Sequence, residues 1–301
     1  MVNRNNISTQ ERILSRDPLL AYQKVMRRVR FKKTVRRTGW MGMGIICTIS
    51  VLLWLFPVRE APAPEPQIVT VESGVGMRTS FRLPDSTMVY LNSGTKLMYP
   101  VPFNKEDRWL ELVGEAYFRV KHMPGHPFRV AIPGRALTIR ALGTEFNVEA
   151  YEEDDRIHTT LVSGRLQIEG QRPDGQLSAC RLNPSEKVAY FWQDGRLEVK
   201  TADIVCDTGW MRGKIILKNT PFPEMLRKLT HQYNVDFIVE DSILATYLFT
   251  GVLDNRTLSQ ALDYLEISSG IDYRISFSAE DDSERVRRQT VSLWKREYTP
   301  L

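Results

Sequence analysis

Two histidines have the spacing of a metal site on a helix. His122 and His126 stand four positions apart, and on a helix this spacing places two imidazoles on one face, where they can bind Zn²⁺. Pro124 and Gly125 lie between them, and both residue types interrupt helices. The pair is therefore predicted to lie on a loop, and we expect no metal site.

A run of four carboxylates could supply the paired acids that glycosidases use. Glu152, Glu153, Asp154 and Asp155 follow one another between two segments of alternating apolar residues. A solvated turn between two strands is the simpler interpretation. The sequence also lacks a nucleophile elbow, a phosphate-binding loop and a cluster of His and Cys residues. We therefore expect no catalytic residues and no cofactor.

Three cysteines are present, and they indicate no metal site either. Cys47 lies in an apolar segment, while Cys180 and Cys206 lie in the mixed-charge remainder of the chain. In an oxidising compartment Cys180 and Cys206 could form a disulfide. Two cysteines do not make a disulfide framework, and their pairing stays open.

One long uncharged segment divides the chain. It runs from Gly39 to Phe56 and as a helix would be about 27 Å long, close to the roughly 30 Å hydrocarbon core of a membrane. Trp40 and Trp54 lie near its ends, where aromatic rings favour the interface, and Pro57 follows. We predict a transmembrane helix over 39–57. A cleaved signal peptide is the alternative, but the basic region before the segment is too long for one.

The charges around this segment set its orientation. Residues 1–38 contain eleven Lys or Arg and two acidic residues, and the positive-inside rule therefore places the N-terminus in the cytoplasm. The whole chain has a net charge of +5, so the remainder is slightly acidic. The basic balance thus reflects membrane topology, and we expect no direct nucleic-acid binding.

The cytoplasmic segment contains an amphipathic helix. Asp17 and Pro18 make a helix start. An apolar stripe at helical spacing then follows, flanked by basic residues: Leu19, Tyr22, Met26 and Val29. Such a stripe fits the groove of a partner protein, and it also fits the inner leaflet of a membrane. Both interpretations remain open from the residues alone.

Residues 68–205 are predicted to be all-β. Apolar and polar residues alternate in several short segments, including Ala116 to Val120, Phe128 to Ile132, Leu137 to Ala141 and Phe146 to Ala150. Short strands separated by turns at regular spacing indicate a sandwich, a barrel or a solenoid. The periodicity does not distinguish among the three.

Residues 209–295 contain an internal repeat with an offset of 36 and are predicted to form a small α+β domain. Each copy reads as a strand, a helix and a strand. The first copy comprises Lys214–Lys218, a helix starting at Thr220 and Pro221, and Val235–Glu240. The second comprises Tyr247–Val252, a helix opened by a capping box of Thr257 and Gln260, and Ile271–Phe277. A last strand near Val286–Trp294 is expected to be an exposed edge.

Several segments together resemble one family. They are Arg82 to Ser93, Tyr99 with Pro100, Phe103, Leu112 to Val120, Pro127 to Val130 and Leu142 to Val148. This ordered set is similar to the FecR family of transmembrane anti-sigma regulators. The C-terminal unit, with Trp210, Gly213, Tyr233 and Phe249 to Gly251, resembles the domain that follows FecR in Bacteroidetes members. That domain is similar to the secretin/TonB short N-terminal (STN) fold.

The resemblance implies a single-pass membrane protein with five segments. These are a cytoplasmic basic segment 1–38, a transmembrane helix 39–57, a Pro-rich linker 58–67, an all-β FecR-like periplasmic domain 68–205 (solenoid- or sandwich-like) and an α+β, STN-like domain 209–295. Two departures from the family pattern are visible. Ser86 stands where the family usually has Gly, and family members usually carry a longer helical cytoplasmic region.

The resemblance also implies partners on both sides of the bacterial inner membrane. A TonB-dependent outer-membrane transducer would present its periplasmic signalling domain, the regulator would act on a cytoplasmic extracytoplasmic-function (ECF) sigma factor, and an intramembrane protease commonly takes part. Nutrient-uptake genes are the expected targets. The candidate sigma-factor contacts are Leu19, Tyr22, Met26 and Val29. The candidate transducer contacts are Tyr247, Phe249, Thr250 and Gly251, on an edge open to strand addition.

An alternative function is a membrane-anchored module that binds glycan in the periplasm without any sigma-factor output. Aromatic side chains of the β domain would then be stacking platforms: Trp109, Tyr117, Trp192 and Trp210. Aromatic residues of small β domains more often lie in the core. A glycan array tested with purified residues 68–301 would separate the two interpretations.

Overall fold

A computed structural model describes residues 66–103, 108–277 and 288–296, together with Gln23, Met26 and Ser50. The chain divides into two units, Met1–Glu65 and Pro66–Leu301. Gln23, Met26 and Ser50 are helical, and the rest of the predicted cytoplasmic and transmembrane segments lies outside the described residues. Among the described residues, no helix is both long enough and apolar enough to span a bilayer.

Thirteen strands of the second unit form one sheet. They are β1 (Gln67–Glu72), β2 (Thr79–Arg82), β3 (Met88–Leu91), β4 (Lys96–Val101), β5 (Arg108–Arg119), β6 (Phe128–Ile132), β7 (Leu137–Ala141), β8 (Glu145–Ala150), β9 (Arg156–Ser163), β10 (Leu166–Gln171), β11 (Leu177–Leu182), β12 (Glu186–Phe191) and β13 (Arg196–Thr201). All segments for which the sequence predicts alternation are strands. The prediction of a β-rich domain is confirmed.

The long strand β5 belongs to both halves of this sheet. Its first half pairs with β4 and β6, and its second half pairs with β3 and β8. Gly114 stands at the change, with a φ of +100°, and a Cβ there would lie 2.8 Å from the Thr95 Cα. The left-handed backbone and the close approach both require glycine. Nine strands follow the order β11-β10-β7-β6-β5-β8-β9-β12-β13, and β1 to β4 pair off this path. The two halves enclose one core.

Aromatic and branched side chains from both halves fill this core. Phe118 stacks on Phe146 with ring centroids 5.1 Å apart and meets Phe128 at 5.7 Å. These three rings are fully buried. Burial of apolar surface at about 25 cal/mol per Å² is the main force that holds the two halves together.

The C-terminal elements surround a second core. They are α1 (Ile204–Thr208), a 3₁₀ turn (Gly209–Arg212), β14 (Lys214–Pro221), α2 (Phe222–Tyr233), β15 (Val235–Val239), a second 3₁₀ turn (Ser242–Thr246), β16 (Leu248–Asp254), α3 (Leu258–Ser269), β17 (Ile271–Phe277) and β18 (Gln289–Lys295). Both repeats of strand, helix and strand are present. The first strand extends through a bulge to Pro221, so α2 begins at Phe222.

The C-terminal strands form two sheets, β14–β16 and β15–β18–β17. The strand β18, expected at an exposed edge, is the middle strand of the second sheet, parallel to β15 and antiparallel to β17. Val291 and Leu293 of this strand are fully buried. Residues 278–287, which precede this strand, lie outside the described residues.

The predicted capping box opens α3. The Thr257 hydroxyl accepts a hydrogen bond from the Gln260 N–H, and the Gln260 side chain accepts one from the Thr257 N–H. Replacement of Thr257 by alanine is expected to lower the free energy of unfolding by about 1 kcal/mol. Urea titration of residues 66–301 measures this change. Thr257→Ser keeps the acceptor and is the control that should remain near the wild-type value.

Candidate functional site

One face of the sheet is polar and nevertheless buried. On β5, β8, β9 and β12, alternate residues form the core, and the opposite face carries Glu115, Asn147, Glu149, His158, Thr160 and Lys187, each less than 10% exposed. Glu115 lies opposite Glu149 on the neighbouring strand, and Glu149 lies opposite His158. The elements α1, the first 3₁₀ turn and α2 cover this face. Buried polar groups of this kind need partners.

Arg227 of α2 provides the main ionic contact with this face. Its Nη1 lies 2.7 Å from a carboxylate oxygen of both Glu149 and Asp154, and its Nη2 lies 2.7 Å from Glu224 on the same helix. Both carboxylates on the β side are less than 10% exposed. Burial opposes ionisation, but the Arg227 charge and a His231 hydrogen bond hold the pKa of Glu149 well below its usual range. Arg227 therefore joins the C-terminal helix to the β-rich part through buried charge pairs.

His231 lies one turn further along α2 and completes the cluster. Its Nε2 lies 3.1 Å from Asp154 Oδ1, and its Nδ1 lies 3.5 Å from Glu149 Oε1. The ring stacks on Tyr151 with centroids 3.7 Å apart. Burial would lower the pKa of His231, but hydrogen bonds to Asp154 and Glu149 raise it to about 9. The imidazole is therefore charged at neutral pH.

Glu115 lies beside the cluster with a different balance of forces. Its two carboxylate oxygens accept hydrogen bonds of 2.7 Å from the amides of Asn92 and Asn147. Burial and the nearby Glu149 charge raise the pKa of Glu115 to about 7. The Asn92 Oδ1 is buried and has no hydrogen-bond partner among the described residues. A cavity of about 30 Å³, which accommodates a water molecule, lies between Asn92, Glu115 and α2.

Replacement of Glu115 by glutamine is expected to stabilise the fold at pH 8 by about 1–3 kcal/mol and to be nearly neutral at pH 5. A carboxyl whose folded pKa is raised loses stability as pH rises through that pKa, and the amide cannot ionise. The new N–H₂ group can donate to Asn92 Oδ1 once the Asn92 amide rotates. Urea unfolding at both pH values measures the difference. A variant that is less stable than wild type at pH 8 would contradict the raised pKa of Glu115.

A second set of contacts anchors α1 and the 3₁₀ turn to the same face. Asp207 accepts hydrogen bonds from Lys187 Nζ at 2.8 Å and Thr160 Oγ1 at 3.1 Å. The Trp210 indole N–H donates to Asn147 Oδ1 at 3.1 Å. Burial would lower the pKa of Lys187, but the Asp207 carboxylate raises it. The covering elements are thus fixed at several separate points.

The cluster has the composition of a salt-bridge network. Ligand atoms of Glu149, Asp154 and His231 lie within 4.8 Å of one another, so these residues could hold a metal ion. Arg227 and the protonated His231 already neutralise both carboxylates. Hydrogen bonds join Arg227 to Glu149 and Asp154, and His231 to Asp154. None of these contacts involves a nucleophilic hydroxyl or thiol. The arrangement is suited to holding two parts of the fold together.

The structure corrects one prediction about the acidic run. Asp154 is 7% exposed and pairs with Arg227 and His231, so it is not part of a solvated turn. The other three acids are exposed on the turn between β8 and β9, as predicted. His122 and His126 lie on the loop between β5 and β6, also as predicted. Cys180 on β11 and Cys206 on α1 are free thiols.

The aromatic residues considered for glycan stacking are not a shared exposed surface. Tyr117 and Trp210 are buried, Trp109 is partly buried, and Trp192 is covered by the Arg135 guanidinium 3.8 Å from its ring centroid. Tyr117 donates to Glu145, and Trp210 donates to Asn147. Tyr117 and Trp210 are therefore not available as stacking platforms.

The candidate contact residues are placed as follows. Phe249 is buried in the second core, 5.8 Å from the Phe222 ring. Thr250 is exposed and bonds to Asn219, while Tyr247 and Gly251 are partly buried. Of the N-terminal stripe, Met26 is helical and 41% exposed. Leu19, Tyr22 and Val29 lie outside the described residues.

Sequence reasoning did not identify the residues of the cluster. The only available signal was a charged stripe at helical spacing on α2: Glu224, Arg227, Lys228 and His231. Such stripes usually face solvent. Here the stripe covers a polar sheet face that no local pattern reveals as buried.

Comparison with known proteins identifies two matching families. The family described as "FecR protein" matches residues 69–167, and that described as "FecR, C-terminal" matches residues 214–279. Together the two segments cover just over half of the chain. The comparison with curated proteins finds no match.

Two solved structures are similar over most of the chain. Both are crystal structures of a "putative anti-sigma factor" from Parabacteroides distasonis ATCC 8503, at 1.65 and 2.50 Å resolution. Each is 28% identical with a TM-score of 0.62, and the match covers 76% or 77% of this chain and 100% of the solved one. The segments of sequence noted above and the β-rich fold agree with these matches. This chain belongs to the FecR family.

Proposed function

We propose that this protein is an inner-membrane anti-sigma regulator that relays a signal from an outer-membrane TonB-dependent transducer to an ECF sigma factor. The observation that carries the proposal is the pair of family matches, FecR followed by its C-terminal domain, in one chain. The similarity to the anti-sigma factor of Parabacteroides distasonis supports an anti-sigma role. In this proposal the sigma factor controls nutrient-uptake genes, and the protein is not an enzyme.

The proposed topology is a single pass with the N-terminus in the cytoplasm and the C-terminus in the periplasm. The uncharged segment 39–56 and the eleven basic residues before it support this orientation. An intramembrane protease would cut within or near the helix to release the cytoplasmic segment. This arrangement gives the sigma factor and the transducer access to opposite ends of one chain.

The STN-like C-terminal elements are the proposed docking site of the transducer. The strand β16 pairs with β14, and no other strand of the described part pairs with it. Leu248 and Val252 point outward from this strand and are 64% and 54% exposed. An exposed edge with apolar neighbours suits strand addition. Because Phe249 is buried, contact there would use the backbone and the outward side chains.

The ionic cluster supports a relay through a connected structure. Arg227 and His231 join the helix α2 to the β-rich part, and Phe222 at the start of α2 contacts Phe249 of β16. A partner bound at β16 would therefore be linked to the β-rich part by direct packing and buried charge pairs.

A reporter assay tests the cytoplasmic half of the proposal. Replacement of Met26 and Val29 by aspartate places charge on the apolar stripe and should activate the sigma-dependent genes constitutively, because the inhibitory contact is lost. Gln23→Asp, a helical and exposed position beside the stripe, is the matched control and should leave signalling inducible. Loss of activation would mean that the segment assists the sigma factor. Unchanged, inducible expression in the double variant would refute the contact.

A further inference from the structure

A cleft separate from the ionic cluster lies where the β1–β2 turn meets the C-terminal elements. Its volume is about 140 Å³. Arg78 contributes from the β-rich part, and the other side consists of the turn after the first 3₁₀ helix, the end of α2 and the turn before α3. The polar or closely packed residues that line it are Arg78, Gly213, Gln232, Tyr233, Asn255 and Arg256.

The charge in this cleft is of one sign. Two arginines line it, and no aspartate or glutamate does. The Arg78 guanidinium donates to neutral acceptors, the Asn255 Oδ1 at 3.1 Å and the Trp210 carbonyl at 3.4 Å. Within the described part of the chain, neither Arg78 nor Arg256 forms an ion pair. Hydrogen bonds to neutral acceptors orient a guanidinium without cancelling its charge.

The walls of the cleft are fixed by short backbone contacts. Gly213 has a φ of +76°, and a Cβ at this position would collide with the Asn255 side chain and lie 3.0 Å from Arg78 Nη2. The Asn255 N–H donates to the Gly213 carbonyl at 2.8 Å, and the Tyr233 hydroxyl donates to the Arg256 carbonyl at 2.7 Å. Asn255, Arg78 and the backbone of Arg256 are thus held in place before any ligand arrives, which lowers the entropic cost of binding.

We propose that this cleft binds a carboxylate or phosphate group between Arg78 and Arg256. Guanidinium groups recognise the paired oxygens of both anions through parallel charge-assisted hydrogen bonds. The amide of Gln232 adds a neutral polar group at the same site. The Asn255 N–H₂ group already donates to Asp254 Oδ1 at 3.1 Å, and Lys214 Nζ lies 3.0 Å from the other oxygen of that carboxylate. Because both parts of the fold line the cleft, an occupant at concentration [L] stabilises the folded state by RT ln(1 + [L]/Kd). The anion is either a free small molecule or an acidic side chain of a partner protein.

Isothermal titration tests the site with inorganic phosphate and succinate at constant ionic strength. Residues 66–301 are suitable for this experiment because they form one compact unit. The similar crystallised chains, which are matched over their whole length, also correspond to only about three quarters of this chain. We expect one saturable site for at least one probe. Arg78→Gln and Arg256→Gln should each weaken binding by about tenfold or more, the effect of one lost charged contact. Arg181→Gln, an exposed arginine on β11, should bind like wild type.

Further arms identify the source of the anion and guard against misfolding. A glutamate-rich peptide that displaces the probe would assign the cleft to a partner's carboxylates, whereas binding of phosphate or succinate without such competition would assign it to a free anion. Thermal unfolding in chloride buffer, without phosphate or succinate, checks that each variant is folded. Because Arg78→Gln and Arg256→Gln are separate proteins, one can test the site if the other fails to fold. Absence of saturable binding by both probes and the peptide, or equal binding by wild type and two folded variants, would overturn the proposal.

Discussion

Replacement of Arg227 by methionine is expected to lower the free energy of unfolding of residues 66–301 by about 3–5 kcal/mol. The substitution removes one partner of a buried ion pair and leaves Glu149 and Asp154 without their main counter-charge. Breaking a buried pair in this way costs about 3–5 kcal/mol, because an uncompensated charge remains in a poorly solvating environment. Chemical denaturation followed by circular dichroism measures the loss.

Two companion variants separate charge from packing in this experiment. Arg181→Met removes an exposed arginine on β11 and should change the free energy of unfolding by less than about 0.5 kcal/mol. Combining Arg227→Met with Glu149→Gln, Asp154→Asn and His231→Gln removes the charges on both sides and should recover much of the loss. If Arg227→Met alone is as stable as the Arg181→Met control, the buried pairs do not hold the two parts together.

The free energy of unfolding of residues 66–301 is expected to fall by roughly 3 kcal/mol as pH rises from about 6.5 to 9, because His231 titrates in this range. The folded protein holds this proton to about pH 9, because Asp154 and Glu149 raise the pKa of His231. An unfolded chain releases the proton near pH 6.5. The stabilisation is therefore complete below pH 6.5 and is lost as pH approaches 9.

The variant His231→Gln isolates this contribution. It should be less stable than wild type at pH 6 and should show a much flatter dependence on pH between 6.5 and 9. Urea midpoints at half-unit pH intervals provide the comparison, and ¹H–¹⁵N spectra of the imidazole report the pKa of His231 directly. A pKa of His231 near 6.5, or parallel pH profiles for the two proteins, would show that the ring is not held charged by the cluster.

Local patterns were sufficient for much of the fold. Alternation along Phe128 to Ile132 and Leu137 to Ala141 predicted strands, because one face of each segment is buried in the core. The capping box at Thr257 predicted the start of α3, since its hydrogen bonds join residues only three positions apart. Structural features that depend on residues close together in the sequence can be predicted in this way.

The candidate site could not be predicted from the sequence, because its residues are buried by contacts between distant parts of the chain. Glu115, Asn147 and Glu149 occupy the polar positions of alternating strands, and alternation predicts solvent at such positions. The structure buries them because α2 packs on that face more than seventy residues later in the chain. The prediction that β18 is an edge strand was wrong for a related reason. The pairing of β18 with both β15 and β17 depends on topology, which periodicity does not encode.

Crosslinked affinity purification shows whether this chain connects a periplasmic receptor to a sigma factor, as we propose. The tagged full-length protein is purified from native membranes beside a variant that lacks residues 1–38, and co-purified proteins are identified by mass spectrometry. We expect a TonB-dependent receptor with both proteins and an ECF sigma factor with the intact protein alone. Recovery of the receptor with no sigma factor in either sample would contradict the proposed function.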